Sequence, residues 1–249
     1  MTERAVPRLA ELTWPEAAAW FRRDPRLIVP VGTTLQHGPH LPLNSDTQII
    51  TAVAEGIGAR HGVLIAPTFA FGAPSERARE YAGTAGLGSK ALHRVLNELV
   101  QGWEEHGVLE FVLITSQGFG PNYEALVSVM AKRARIRAVD INSVDLTALL
   151  DHPGPQHAGE LETSLMLHLA PVLVRADRIV DAPPEPGSRP DRAGVPPPGS
   201  SGVIGVPSAA TAEKGRAIYE HLVEFIGTRL YGETEAEMAE MRPVEVSER

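Results

Sequence analysis

The sequence predicts an α/β domain in which a mostly parallel central sheet carries helices on both faces. Short, continuously apolar runs at 27–31 (LIVPV), 63–67 (VLIAP) and 111–115 (FVLIT) read as strands buried on both faces. Stretches of helical period separate them, clearest at 89–106, where Leu92, Val95, Leu96, Leu99 and Trp103 share one face. Strands alternating with helices at this spacing imply parallel pairing.

The elements follow in order. Thr13-Trp14-Pro15-Glu16 has the pattern of a capping box with proline near the first helical position, and the helix it opens runs to about Arg22, before Asp24-Pro25. After the first strand comes a loop from Gly32, then a helical pattern (Ile49, Ile50, Val53, Ile57) with Asp46 at its start, where a carboxylate suits the helix dipole. Residues 74–88 are loop-like and hold the turn Gly83-Thr84. Asn122 is expected to cap a helix reaching about Arg135, and 138–141 to form a fourth strand. A helix from Glu160 to about Leu169 and a last one from Thr211 to about Tyr231 complete the core, about 8–231. The Pro/Gly-rich stretch 182–201 is a loop, and 232–249 a charged tail. With no repeat and no second composition regime, one domain over 1–249 is expected.

Composition narrows the chemistry. The 249 residues are 43% hydrophobic and 22% charged, ordinary values for a globular protein. A net charge of −8 argues against nucleic acid or an anionic membrane as partner. There is no cysteine, which excludes thiolate metal sites and cysteine nucleophiles and leaves His, Asp and Glu for any metal. No apolar run is long enough for a membrane span, so a cytoplasmic protein is the default expectation.

Three Gly/Pro-rich segments at strand ends or helix starts carry the polar groups: His37, His40 and Asp46; Gln117 and Asn122; and His157, Glu160 and Glu162. Loops leaving the carboxyl ends of parallel strands are where open α/β sheets bind ligands. Brought together, imidazoles and carboxylates of this kind would supply a hard-ligand metal site.

The motifs themselves resemble a known family. VGTTLQHGPHLPLNSD (31–46), Gly83-Thr84, LITSQGFGPN (113–122), HAGELETSLML (157–167) and GVIGVPSAATAEKG (202–215) are similar, block by block and in order, to creatininase (creatinine amidohydrolase) family sequences. The resemblance implies a three-layer creatininase-like α/β fold, commonly a homohexamer. It also implies a dinuclear Zn, Mn or Fe site and hydrolysis of a cyclic or linear amide C–N bond in a small molecule or peptide.

The chain departs from the pattern at ligand positions. The family's glutamate two residues before the first histidine falls on Leu35, and the histidine of its glycine-rich loop falls on Phe119. A further glutamate of that loop corresponds to Pro121, and a histidine often found before the Gly-Thr turn is also missing, Arg77 or Ala78 standing at about that place. Carried over residue by residue, one metal site keeps only Asp46, and the other keeps His37 and Asp46, with Glu162 as its glutamate.

Three readings stay open. In the first, His37, Asp46 and Glu162 hold one divalent metal, Glu160 or His157 is the acid/base, and His40, Leu35, Phe119, Gln117 and Asn122 line the substrate pocket or fix its loops. In the second, the site is fully degenerate, binds no metal and does acid–base chemistry in a biosynthetic pathway. In the third, the chain is a non-catalytic binding or scaffold homologue.

Overall fold

The structure is a computed structural model describing residues 6–118, 120–183 and 199–232. Phe119, most of the 182–201 loop and the tail from 233 onward lie outside the described residues.

Four parallel strands form the sheet, in the order β2-β1-β3-β4: β1 (Arg26–Val31), β2 (Leu64–Ile65), β3 (Glu110–Thr115) and β4 (Arg135–Asp140). Alternation along the strands feeds two cores. Ile28, Val112 and Ile114 point to one face, against α2 (Ser45–His61), α5 (Glu160–Leu169) and α6 (Ala212–Tyr231). Leu27, Val29, Val31, Phe111 and Leu113 point to the other, against α1 (Trp14–Arg23), α3 (Ser89–Glu105) and α4 (Gly120–Val127). The runs of β1 and β3 are apolar throughout because both faces are covered.

Local signals mostly hold. Glu16 accepts hydrogen bonds from the Thr13 backbone N–H and hydroxyl, both at 2.7 Å, which closes the capping box. Thr211 accepts from the Lys214 N–H and caps α6. Three expectations need correction. The second strand pairs regularly only over Leu64–Ile65. The fourth starts at Arg135, earlier than expected, since its arginines occupy the amino-terminal end of an edge strand where Arg137 reaches Glu110. Finally, α4 is two turns long, and Asn122 lies inside its first turn instead of capping it.

Candidate metal centre

The chain runs outward from β1 to β2 and returns to place β3 on the other side of β1. Loops leaving the carboxyl ends of β1 and β3 therefore diverge, and such a switch point is where parallel α/β sheets open a crevice. The loop after β1 delivers His37 and leads to Asp46 in the first turn of α2. The loop after β3 carries Ser116 and Gln117. Opposite them, the turn before α5 brings His157, and the first turn of α5 brings Glu162.

His37 is fully buried. Its Nδ1 lies 2.9 Å from the Leu35 carbonyl, an acceptor, so Nδ1 carries the proton in the neutral ring. Its Nε2 has no hydrogen-bond partner and lies 3.5 Å from Asp46 Oδ1 and 3.6 Å from Glu162 Oε1. A lone pair is thus aimed between two carboxylates unless a proton or a cation intervenes. Burial opposes protonation of His37, but the Asp46 and Glu162 charges outweigh it and hold the pKa well above the usual 6.5. Burial also works against the two carboxylates, and the facing imidazole reverses it, so both sit below their ordinary range.

Neither carboxylate is loose. Asp46 Oδ2 accepts a short hydrogen bond from the Thr33 hydroxyl at the exit of β1. Asp46 Oδ1 accepts from the Ser116 hydroxyl, 3.1 Å away at the exit of β3. Glu162 Oε2 accepts a short bond from the Ala158 N–H. Ala158 has φ +50°, a left-handed conformation that costs a non-glycine residue about 1–2 kcal/mol. It is held there by that bond and by the paired backbone hydrogen bonds of His157 with Ile204, at 2.9 and 2.8 Å.

His157 packs its ring 4.7 Å from that of His37 and places Nε2 2.9 Å from the Gln36 carbonyl. With Nε2–H donating there, Nδ1 is the ring's free acceptor. Burial, helped by the His37 charge, keeps His157 neutral below the usual imidazole range. Ligand atoms of His37, His157 and Glu162 all lie within 4.8 Å of one another. Gln36 ties the loops together: its side chain donates to the Gly202 carbonyl and accepts from the Gly38 N–H, and its own N–H donates to Thr84 of the Gly-Thr turn.

A cavity of about 380 Å³ opens beside the centre, with His157 and Glu162 in its wall. Of the expected pocket residues, Gln117 lines it. Asn122 is instead a buried brace, accepting from the Ala73 N–H and donating to the Gln117 carbonyl. His40 is buried 3.0 Å from the Thr163 hydroxyl, and burial lowers its pKa to about 4. Leu35 is buried and lies outside the cavity wall. Phe119 falls outside the described residues.

Glu160 does not join the centre. Its carboxylate accepts from the Asp151 and His152 N–H groups at 3.0 and 2.8 Å and from Lys214 Nζ at 2.5 Å, so it anchors α5 to α6. The expectation that Glu160 transfers a proton at the site disagrees with that placement. Lys214 is the partner that sequence reasoning missed, and its separation of 54 residues left no local signal.

The creatininase (creatinine amidohydrolase) family model matches residues 10–230. The chain belongs to the creatininase family. It is 34% identical over 245 residues to a mycofactocin precursor peptide peptidase of Mycobacterium ulcerans, covering 91% of this chain and 93% of the other. It is 30% identical over 250 residues to a creatinine amidohydrolase of Pseudomonas putida, covering 88% and 94%. Among solved structures, a manganese creatininase superposes with a TM-score of 0.77 at 27% identity, over 91% of this chain and 99% of that one. A mutant creatininase of Zn-Zn type gives 0.76 at 27%, over 91% and 98%. The named enzymes among these relatives are hydrolases, in keeping with an amidohydrolase-type enzyme.

Two ligand atoms bound at about 2.0–2.1 Å and a tetrahedral angle lie about 3.4 Å apart. The separations of His37 Nε2 from Asp46 and Glu162 are close to that edge, the imidazole atom is buried and unpartnered, and His37, His157 and Glu162 form the group whose ligand atoms all lie within 4.8 Å, so the donors present suit a divalent ion.

Proposed function

We propose that this protein is a metal-dependent hydrolase of a peptide amide bond that uses one metal ion where family members use two. The buried, unpartnered Nε2 of His37 between Asp46 and Glu162 carries the reading. His37, Asp46 and Glu162 would hold the ion. One further observation favours a single ion: Leu35 puts a buried apolar side chain where the family pattern has a glutamate. The peptide substrate is taken from the relatives named as precursor peptide peptidases.

An ion held there would supply positive charge to polarise the scissile carbonyl and make a bound water more acidic. The protein's own groups do the rest. His157, neutral and in the cavity wall, accepts a proton from the attacking water at Nδ1 and returns it to the departing nitrogen. One water is consumed as one C–N bond breaks, and the Gln36 carbonyl holds the ring in the required tautomer. Thr33 and Ser116 fix the Asp46 carboxylate from two sides.

Metal content per chain, measured on wild type, His37→Ala and Asp46→Ala after loading with Zn, Mn or Fe, tests this. About one ion in wild type and none in either variant is expected, together with cleavage of a peptide amide that needs the ion. Two ions would overturn the mononuclear reading. No ion after loading would leave the metal-independent enzyme or the non-catalytic homologue, which divide on whether a bound peptide is turned over.

A further inference from the structure

The cavity beside the centre has a composition that the hydrolytic chemistry does not explain. Val144, Leu146, Leu150 and Leu161 give it apolar lining, while Asp140, at the carboxyl end of β4, and the more exposed Asp145 give it acidic lining. No Lys or Arg is among the lining residues. An ion at the centre would balance Asp46 and Glu162, and Asp140 and Asp145 would remain without a cation in the wall.

Asp140 has a local role that uses only half of it. Both hydrogen bonds to its side chain, from the Asn142 N–H and side-chain amide at 3.0 and 3.1 Å, end on Oδ1. Among the described residues Oδ2 has no hydrogen bond or ion pair. A side chain at position 118 would collide with Oδ2, and Gly118, also in the cavity wall, leaves room for that oxygen. Burial and the nearby Asp46 charge raise the pKa of Asp140, as expected of a carboxylate lacking a counterion. Apolar lining together with a carboxylate oxygen that has no partner suits an alkyl stem with a cationic head.

We propose that this cavity seats a Lys or Arg side chain of the peptide substrate beside the scissile bond, with Asp140 Oδ2 as the residue that selects it. The proposal rests on the peptide-hydrolase reading for its context. Its test reads binding separately from turnover.

The probes are two fluorescent, end-blocked pentapeptides that differ only at the central position, lysine in one and norleucine in the other. Zinc-loaded wild type, Asp140→Asn, Asp140→Glu and Asp151→Asn are compared by anisotropy, with cleavage followed in parallel by mass spectrometry. Asp140→Asn keeps the Oδ1 acceptor for Asn142 and removes the charge, while Asp151 is exposed and outside the cavity wall. The lysine peptide is expected to bind wild type about tenfold more tightly than its twin. Asp140→Asn should bring the two within twofold, and Asp140→Glu and Asp151→Asn should keep the preference. Equal affinities in wild type overturn the proposal. So does a preference that survives in Asp140→Asn, since it then comes from Asp145 or from the net charge of −8. Absence of cleavage with the preference intact would count against the hydrolase reading alone.

Discussion

At the amino edge of the sheet Arg26 meets Asp24 at 2.7 and 2.8 Å and Arg137 meets Glu110, whereas at the carboxyl edge Asp46 and Glu162 share a single imidazole at 3.5 and 3.6 Å. Nearby, at the end of α3, buried Glu104 accepts three backbone N–H groups, from Lys132, Arg133 and Ala134. Arg137 Nε is unpartnered, but Asp24 and Glu110 each have an arginine in direct contact. The chain thus gives these structural carboxylates a cation each and leaves the functional pair one imidazole between them. Buried charge without a full complement of partners is costly, and function is the usual reason to keep it.

The comparison breaks most sharply at His37. His37→Ala should abolish metal binding and metal-dependent hydrolysis, while thermal melts of the metal-free chain should show a folded protein. Loss of the fold would mean that the carboxyl edge is structural as well. At the other edge, Glu104→Ala strands three amides and should cost about 2–3 kcal/mol, lowering Tm by roughly 5–10 °C with metal stoichiometry unchanged.

Smaller effects sharpen the contrast. Ser116→Ala removes one of the two hydroxyls that orient Asp46 and should weaken metal binding about 10- to 100-fold by competition with a chelating dye. Ser116→Thr should restore most of it, and an unchanged affinity would show that Thr33 alone fixes the carboxylate.

The pH dependence is subtler still. His37 in the metal-free chain has a raised pKa, since its two carboxylates outweigh burial. That contribution to stability is complete below the unfolded imidazole pKa and fades as pH rises through the folded one. Chelator-treated protein should therefore lose stability on going from neutral to mildly alkaline solution. Zinc-loaded protein should not, since a ligating imidazole has already given up that proton. Parallel pH series of melts would tell, and identical slopes would argue against His37 as a ligand.

How much of this was legible in the sequence depends on range. The capping box, the buried runs of β1 and β3, and the long amphipathic α3 lie within a few residues of their causes and read correctly. The charged opening of β4 hid a strand, because Arg137 makes sense only once Glu110, 27 residues earlier, is beside it. His37, Asp46 and Glu162 were reached through motif resemblance, and the structure adds their distances. The pairing of Glu160 with Lys214 had no local sign, because a carboxylate at a helix start looks the same whether it faces substrate or a lysine 54 residues on. The role of Gln36 was invisible, since its carbonyl meets His157 across 121 residues.

One absent atom governs the geometry of the whole centre. A Cβ on Gly32, where β1 ends, would lie 2.5 Å from Thr47 Oγ1 and 2.6 Å from Thr47 Cα. The first turn of α2 rests directly on the strand there, and Asp46 rides on that turn. Strand and helix behave as one lever with its fulcrum at position 32. Lengthening the side chain by a single methyl would push the helix outward and carry Asp46 away from His37. The reach of the site is thus set by a backbone contact that touches neither metal nor substrate.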